Sequence, residues 1–386
     1  MAGYTLPMKT LSFVAALLFT AAAFAQVAPK PADFTVRDFR FQTGDRLDVR
    51  IHYYTLGSPT KGADGRINNA VLILHGTGGS GRSLLGPTFA GVLFCSGCLL
   101  DASRYFVISP DSIGHGDSSK PSDGLRMKFP RYEYDDMVAL QHELLTTGLG
   151  VDHLRLVIGT SMGCMHSWLW AETHPDFIDA AMPLACLPVP IAGRNREWRK
   201  MAIDGIRSDP AWKNGDYTRQ PQQGLRLAED LLILVGIAPL VDQTQAPTRD
   251  AADRLAGDRL KSRMASADAN DVLYQLDASR NYNPAPKLET IRVPVMAVNS
   301  ADDFINPPEL GILEHEIARV KRGCAVVVPI TDQTRGHGTH TIAAVWGNYL
   351  RDLLRSSGGL APGTSWDGEV SHAGVRGTSS ACRLGP

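Results

Sequence analysis

The sequence predicts an α/β fold in which a mostly parallel central sheet has helices on both faces and carries an inserted helical cap. Two observations support this prediction. Short apolar runs suited to buried strands alternate with segments of helical period, which is the pattern of a parallel sheet. Between residues 188 and 286 these runs stop, and longer amphipathic stretches with more Arg, Trp and Pro replace them, which indicates an insertion.

Composition allows one large core and argues against several classes of partner. The chain has 386 residues, of which 44% are hydrophobic and 20% charged, and its formal net charge is -1. No basic stretch or nucleic-acid motif is present, so a polyanionic partner is not expected. We also expect no cofactor and no bound metal, and a small molecule as the substrate.

The first 25 residues have the features of a cleaved secretory signal. Lys9 precedes an apolar segment at 11–24, and Ala23-Phe24-Ala25 resembles a cleavage site. An uncleaved membrane anchor is the alternative, but no stop-transfer pattern follows. No later stretch is long and apolar enough to cross a bilayer. We therefore expect a secreted or periplasmic protein whose mature form has no membrane span.

The remaining elements follow in chain order. Alternating segments at 34–42 and 47–56 predict two antiparallel strands. Continuous apolar runs predict buried strands at 70–74, 105–110, 154–158, 179–186, 293–298 and 325–330. We assign 34–187 and 287–355 to the core, 188–286 to the cap and the Gly-, Ser- and Pro-rich residues 356–386 to a disordered tail.

Ser161 is the candidate nucleophile. It lies in Gly159-Thr160-Ser161-Met162-Gly163, between the predicted strand at 154–158 and a segment of helical period. A serine on a tight strand-to-helix turn requires small residues two positions away on either side. The helix start that follows presents free N–H groups to a developing negative charge.

A glycine-rich loop, residues 75–81, follows the strand predicted at 70–74. It lacks the Lys-Ser/Thr pair of a phosphate-binding loop and the spacing of a dinucleotide-binding one. We instead expect an oxyanion hole in which the backbone N–H groups of Thr77 and Met162 converge on the acyl oxygen.

The acid and the base each have two candidates. Asp303 is preferred to Asp302 as the carboxylate because Pro307 follows it at the spacing of a turn. His337 is preferred to His340 as the base because the preceding glycine permits a tight loop. Ser161, Asp303 and His337 each follow a predicted strand, and the carboxyl ends of parallel strands meet at one edge of the sheet.

Other chemically active residues have structural interpretations. His115, in a glycine-rich turn, is expected to bond local backbone rather than to act as the base. Cys95 and Cys98 could form a small disulfide, whereas Cys164 and Cys186 lie in apolar surroundings and are expected to pack as free thiols. The cap aromatics, which either line a pocket or seal the cap, are Trp198, Trp212 and Tyr217.

Two sets of motifs point to a known family. Around the strand-to-helix turn at Ser161, which we call the elbow, they are Phe129-Pro130, Asp136-Met137-Val138, Gln141, Ser161-Met162-Gly163 and Met165. In the cap they are Ala202-Ile203, Asp209-Pro210, Trp212, Gly215-Asp216-Tyr217, Gly224-Leu225 and Asp268-Ala269-Asn270. These segments resemble the homoserine O-acetyltransferase-like family of the α/β-hydrolase fold. The resemblance implies the triad Ser161, Asp303 and His337 and a dimer through the cap helices.

The same resemblance implies residues that bind substrate. A family arginine that clamps an amino-acid carboxylate falls in register with Lys200, with Arg199 beside it, and Tyr217 lies in a family motif. The chain departs from the family at Gly76-Thr77-Gly78, where the family has Ala-Leu-Thr, and at Cys164 and His166 after the elbow.

These observations favour an exported serine hydrolase of small esters or related acyl compounds, in which water releases the acyl group from Ser161. The alternative is a homoserine O-acetyltransferase-type reaction with acetyl-CoA, a cytoplasmic donor that an exported enzyme would lack. A binding protein without catalytic activity is a third possibility, against which the complete Ser, Asp and His set argues.

Overall fold

The computed structural model describes residues 28–360, 363–364 and 382–384. The predicted signal segment, residues 1–25, lies outside this described part. Eight strands form the sheet: β1 Lys30–Arg40, β2 Arg46–Leu56, β3 Ala70–Leu74, β4 Phe106–Pro110, β5 Leu156–Thr160, β6 Ala181–Leu184, β7 Val295–Ser300 and β8 Gly323–Val328. The α-helices are α1 Ala90–Leu93, α2 Tyr134–Glu143, α3 Met162–Thr173, α4 Gly193–Ser208, α5 Gln222–Gly236, α6 Pro239–Gln245, α7 Arg249–Met264, α8 Ala269–Asp277, α9 Ile312–Ile317 and α10 Ala343–Ser356.

One sheet contains all eight strands in the order β1-β2-β4-β3-β5-β6-β7-β8. The first two strands pair antiparallel, and β2 also pairs antiparallel with β4. From β4 to β8 every neighbouring pair is parallel. The prediction of a mostly parallel α/β sheet is confirmed, and the carboxyl ends of its central strands open on one edge.

Both faces of the central strands are buried, which explains why their sequences are apolar without alternation. In β3, Leu72 and Leu74 contribute to one hydrophobic cluster, which also contains residues of α2 and α3. Val71 and Ile73 point to the opposite face and pack in a second cluster with α1 and α10. The sheet is therefore the middle layer between two helical layers.

Five helices, α4 to α8, lie between β6 and β7. Helix α8 joins them to the core through Tyr274, whose hydroxyl donates to the carbonyl of Phe129 at 2.6 Å, and Gln275, whose amide donates to the carbonyl of Gly114 at 2.7 Å. These contacts hold the inserted helices over the loops that follow the strands.

Three disulfides link all six cysteines. The anticipated Cys95–Cys98 bond is present, and Cys324 pairs with Cys382. The expectation that Cys164 and Cys186 are free thiols is wrong, because they form a disulfide that joins α3 to the segment after β6. The sequence could not reveal this bond because the two residues are 22 positions apart and meet only after β5, α3 and β6 have packed.

The C-terminal tail contributes a short contact that the sequence did not reveal. The amide of Arg383 donates to the carbonyl of Gly323 at 3.0 Å, next to the Cys324–Cys382 disulfide. Residues 382–384 therefore lie against β8, at the edge of the sheet. Among the described residues, no helix is both long and apolar enough to cross a membrane.

Candidate active site

Ser161 lies on a sharp turn between β5 and α3. Its φ is 54° and its ψ is -107°, a conformation that is costly for a residue with a side chain. The neighbouring glycines are required by close contacts: a Cβ on Gly159 would lie 1.9 Å from the carbonyl oxygen of Gly163, and one on Gly163 would lie 2.3 Å from that of Leu74. The turn therefore projects the Ser161 hydroxyl beyond the sheet edge.

A chain of hydrogen bonds links Ser161, His337 and Asp303. The Nε2 atom of His337 lies 2.8 Å from Ser161 Oγ, and its Nδ1 atom lies 2.9 Å from Asp303 Oδ2. The Asp303 side chain is fully buried, whereas the His337 side chain retains 11% exposure. The structure thus brings together three residues that are spread over 176 positions of the chain.

Asp303 is held as a carboxylate by its neighbours. Its Oδ1 accepts hydrogen bonds from the backbone amides of Ile305 at 2.8 Å and Asn306 at 3.1 Å. Its Oδ2 accepts from the Asn306 side-chain amide at 3.1 Å as well as from His337. Burial raises the pKa of Asp303, but the nearby His337 and these hydrogen bonds outweigh it and hold the pKa below its usual value.

The alternative acid, Asp302, has a different role. Its Oδ2 accepts a hydrogen bond from the backbone amide of Gly336 at 2.9 Å, and its Oδ1 bonds the hydroxyl of Ser300. Gly336 has a φ of 59° and directly precedes His337. Asp302 therefore fixes the loop that carries the histidine, while Asp303 contacts the ring.

The alternative base, His340, bonds the backbone of His337, whereas His337 itself bonds the nucleophile. Its Nδ1 donates to the carbonyl of His337, and its ring centroid lies 5.0 Å from that of His337. Burial lowers the pKa of His340, and the adjacent His337 lowers it further. Both effects favour a neutral ring. Its hydrogen bond to the His337 carbonyl helps to fix the loop that carries His337.

The predicted oxyanion donors belong to the start of α3 and to the loop after β3. Met162 is the first residue of α3, so its amide has no acceptor within the helix. Thr77 lies in a turn closed by a 3.0 Å hydrogen bond from the amide of Gly79 to the carbonyl of Gly76. A Cβ on Gly76 would lie 3.2 Å from the Cβ of Ser161, so the turn approaches the nucleophile closely.

Arg199 and Lys200 point in different directions from α4. Arg199 is 2% exposed, and its Nε donates to Asn195 Oδ1 at 3.0 Å. Lys200 is 59% exposed at its side chain and pairs with Asp204. The prediction that Lys200 contacts substrate is therefore not supported, because the turn of the helix directs Arg199 inward and Lys200 to solvent.

A buried polar cluster surrounds the inner end of Arg199. Arg199 Nη1, the Tyr134 hydroxyl and the Thr77 hydroxyl are among the buried polar atoms of the described residues that have no hydrogen-bond partner. Burial raises the pKa of Tyr134, and the proximity of Arg199 and Thr77 opposes that rise. We call Thr77, Tyr134 and Arg199 the polar cluster. Buried donors and acceptors that lack a hydrogen-bond partner within the protein are suited to bind a polar ligand.

Tyr217 is not part of this polar cluster. Its hydroxyl donates to Asp268 Oδ1 at 2.7 Å and accepts from the amide of Asn270 at 3.1 Å. Trp212 donates to Asn270 Oδ1 at 2.9 Å. These family-motif residues therefore join cap segments to one another, and the one donor of the Tyr217 hydroxyl is used within the cap.

Two residues of the site escaped sequence analysis. Tyr134, at the start of α2, and Asn306, beside the acid, have no spacing that marks them as functional. The segment between Asp303 and Pro307 gave a weak signal for Asn306, because a side chain within a tight turn often bonds the turn itself. Nothing local distinguishes Tyr134 from the other tyrosines of the chain.

One group of side chains has the composition of a metal site. Ligand atoms of His52, Asp111 and Asp117 lie within 4.8 Å of one another. Asp111, however, already accepts backbone hydrogen bonds on both oxygens, from Gly81 at 2.7 Å and from Asp117 at 2.8 Å. The buried Asp111 carboxylate therefore holds the loops that contain Gly81 and Asp117.

His115 should make the protein less stable in acid. Its Nδ1 donates to the carbonyl of Ile113 at 3.1 Å, and burial lowers its pKa to about 3. Because the unfolded chain has a histidine pKa of about 6.5, it binds more protons than the folded chain between these values. The free energy of unfolding therefore falls as the pH drops below about 6.5, by up to about 1.4 kcal/mol per pH unit.

Urea unfolding at about pH 7 and about pH 5 measures this dependence. The His115→Gln variant retains a donor for the Ile113 carbonyl and should lose less stability between the two conditions. An identical loss in both proteins would assign the acid sensitivity to other groups.

Comparison with known proteins gives a consistent assignment. A family model described as the alpha/beta hydrolase fold matches residues 69–316. A probable acyltransferase of Methanothermobacter thermautotrophicus is 30% identical over 286 residues, which cover 72% of this chain and 84% of that protein. A homoserine O-acetyltransferase of Methanohalophilus mahii is 28% identical over 305 residues, covering 70% of this chain but 60% of that protein.

Solved structures agree on the fold. The homoserine O-acetyltransferase from Bacillus anthracis superimposes with a TM-score of 0.73 at 21% identity, covering 84% of this chain and 97% of that chain. Esterase E22 superimposes with a TM-score of 0.72 at 21% identity, covering 85% of this chain and 100% of that chain. The chain therefore belongs to the α/β-hydrolase fold family, and within it to the homoserine O-acetyltransferase-like group.

Proposed function

We propose that this protein is an acyl-transfer enzyme that works through an acyl ester on Ser161. The observation that carries the proposal is the hydrogen-bonded chain from Ser161 through His337 to Asp303. His337 would accept the serine proton while the Ser161 oxygen bonds the acyl carbon, and would return it to the departing alcohol or thiol. Asp303 stabilises the protonated ring.

The amides of Thr77 and Met162 complete this mechanism. As the acyl carbon becomes tetrahedral, its oxygen gains negative charge. Two N–H groups that point at that position would stabilise the charge without reorganising. Loss of one such donor typically costs on the order of a hundredfold or more in rate. Because both donors are backbone groups, substitutions of the two side chains do not test this role.

For the acyl acceptor, we propose an alcohol that carries a carboxylate, such as homoserine. The names of the curated relatives support this choice over the water that the sequence alone favoured. The polar cluster supports it as well, because Arg199 is buried and its Nη1 has no hydrogen-bond partner among the described residues. A buried arginine with a free N–H is well suited to a carboxylate ligand.

Hydrolysis in an oxidising compartment is a second candidate. Three disulfides link all six cysteines, and disulfides persist mainly in exported proteins. Together with the signal-like residues 1–25, they support secretion or export to the periplasm. An enzyme placed there would meet esters and water rather than acetyl-CoA.

We also propose a homodimer joined through the cap. Exposed apolar side chains occur on three of its helices, which are the sort of surface that protein interfaces cover. They are Met201 on α4, Leu227 and Leu234 on α5, and Leu240 on α6.

One experiment separates the two catalytic candidates. Purified protein lacking residues 1–25 is given p-nitrophenyl acetate or acetyl-CoA, each with and without homoserine. If the protein is a transferase, homoserine accelerates donor consumption and O-acetylhomoserine accumulates. If it is a hydrolase, p-nitrophenol and acetate form at the same rate with or without homoserine. The absence of any acyl product with both donors would exclude the transfer and the hydrolysis of an acetyl group.

Arg199→Met should raise the KM for homoserine by about 10- to 100-fold, because a hydrogen bond between charged groups contributes about 1.5–3 kcal/mol. The substitution keeps most of the side-chain volume while removing the charge. The KM for 3-amino-1-propanol, which is homoserine without its carboxylate, should stay close to that of the unaltered enzyme. Steady-state kinetics with both acceptors provide the measurement.

Lys200→Met is the matched control, since it removes a positive charge from the neighbouring but exposed position of the same helix. It should leave both KM values unchanged. If Lys200→Met raised the KM for homoserine and Arg199→Met did not, the carboxylate site would have been assigned to the wrong side of α4.

A further inference from the structure

A cavity of about 520 Å³ lies beside the candidate active site, between the segment after β6 and the segment after β7. Leu187, Val189 and Ile191 line it from the first segment, and Ile305 and Ile312 line it from the second. Met165 of α3 also contributes to the lining. We call this space the apolar cavity. Its volume falls within the range of about 300–1,000 Å³ that is usual for small-molecule sites.

The apolar cavity begins one helical turn from the nucleophile. The amide of Met165 donates to the carbonyl of Ser161 at 3.2 Å, and residues four positions apart lie on the same face of a helix. Since a helix rises about 1.5 Å per residue, Met165 lies about 6 Å along α3 from Ser161. Met165 is 4% exposed and lines the cavity, and its unbranched side chain is flexible enough to adopt several rotamers.

The opposite wall is connected to the acid. Ile305 and Asn306 follow Asp303 in the chain, and both line the apolar cavity. The Asn306 side chain donates to Asp303 Oδ2 at 3.1 Å and to the carbonyl of Ala185 at 3.0 Å. Cys186, a further wall residue, is tied to α3 by its disulfide with Cys164. The cavity is therefore enclosed by the elements that hold the nucleophile and the acid.

The chemistry of the walls favours a hydrocarbon ligand. The amide of Asn306 is already engaged with Asp303 and Ala185, so it is not available to a ligand. Arg194, at the rim, places its guanidinium carbon 3.8 Å from the centre of the Phe304 ring and donates to the Phe304 carbonyl. Most of the remaining lining residues have aliphatic side chains. Burial of methylene groups against such side chains is favourable.

We propose that the apolar cavity receives the hydrocarbon chain of the acyl group carried by Ser161, and that Met165 acts as the gate between them. This inference rests on the proposed acyl-enzyme and names its substrate class: acyl donors with chains of several carbons, longer than acetyl. The carbonyl of such a donor would lie at Thr77 and Met162, with its chain extending past Met165 between Leu187 and Ile191.

Two phosphonofluoridates that share an ethoxy group and carry either an ethyl or an octyl group on phosphorus test this assignment. The Ser161 oxygen bonds phosphorus, fluoride departs and the serine proton passes to His337, so no acyl acceptor is needed. The rate of Ser161 modification is followed by mass spectrometry of the intact protein. Each buried methylene contributes about fourfold to binding, so the octyl probe should react at least about tenfold faster than the ethyl probe.

Leu187→Trp and Ile191→Trp fill the apolar cavity from two positions, so that one variant remains if the other does not fold. Each should lower the octyl-to-ethyl rate ratio by about tenfold or more. Leu125→Trp is the control, since it makes the same change at an exposed position outside the cavity. It should leave the ratio unaltered.

The possible results have distinct meanings. Equal rates for the two probes in the unaltered protein, or a ratio that survives both tryptophan variants, would overturn the chain-binding assignment while leaving the acyl-enzyme in place. Failure of both probes to modify Ser161 in folded protein would instead overturn the proposed function and the inference together.

Discussion

Ser161→Ala should reduce acyl transfer by at least about 10⁴-fold, because it removes the hydroxyl that is hydrogen-bonded to His337 Nε2 and would form the acyl ester. Both donor consumption and covalent modification by the phosphonofluoridates should disappear. The measurement is the rate of p-nitrophenol release from p-nitrophenyl acetate, compared with the uncatalysed rate under the same conditions.

Ser161→Gly provides the control for folding. The residue has a φ of 54°, where glycine is unstrained and alanine is not. We expect the glycine variant to be inactive but more stable than the alanine variant toward thermal unfolding. If either variant retained more than about a hundredth of the activity, a nucleophile other than Ser161 would be required.

Asp303→Asn should lower kcat/KM by about 10⁴-fold, since an amide in this position favours the wrong tautomer of His337 and cannot stabilise the protonated ring. Asp302→Asn is a matched control one residue away. Its remaining carbonyl oxygen can still accept the hydrogen bond from Gly336, so we expect less than about a tenfold loss. The kcat/KM of both variants, measured over a range of pH, separates the two roles.

The reverse order of effects would show that the His337 loop moves to use Asp302 during catalysis. Comparable losses in both variants would indicate that loop placement by Asp302 matters as much as the contact between Asp303 and the ring.

Most of the sheet could be predicted because a strand buried on both faces is a short run of apolar residues in the sequence. The five residues of β3 are all buried, and all five are aliphatic. The elbow could be predicted for the same reason: Gly159 and Gly163 are demanded by contacts too close for any side chain. Where a close contact leaves room only for glycine, the glycine in the sequence indicates that contact.

Features set by the rotation of an element could not be predicted in this way. Successive residues on a helix point about 100° apart, so a register error of one position exchanges a buried side chain for an exposed one. Arg199 and Lys200 are such a pair, and only the packing of α4 reveals which one faces the core. The Cys164–Cys186 disulfide and the role of Tyr134 also depend on contacts between distant segments.

The contact between residues 382–384 and β8 has a practical consequence for shortened versions of the protein. β8 is the last strand at one edge of the sheet. The unpaired backbone groups of an exposed edge strand can hydrogen-bond a strand of another molecule. A chain ended at residue 360 would lose Cys382 and leave Cys324 as a lone thiol on that uncovered strand. Such a protein should accumulate covalent dimers under oxidising conditions, so the last few residues are best retained when the enzyme is produced.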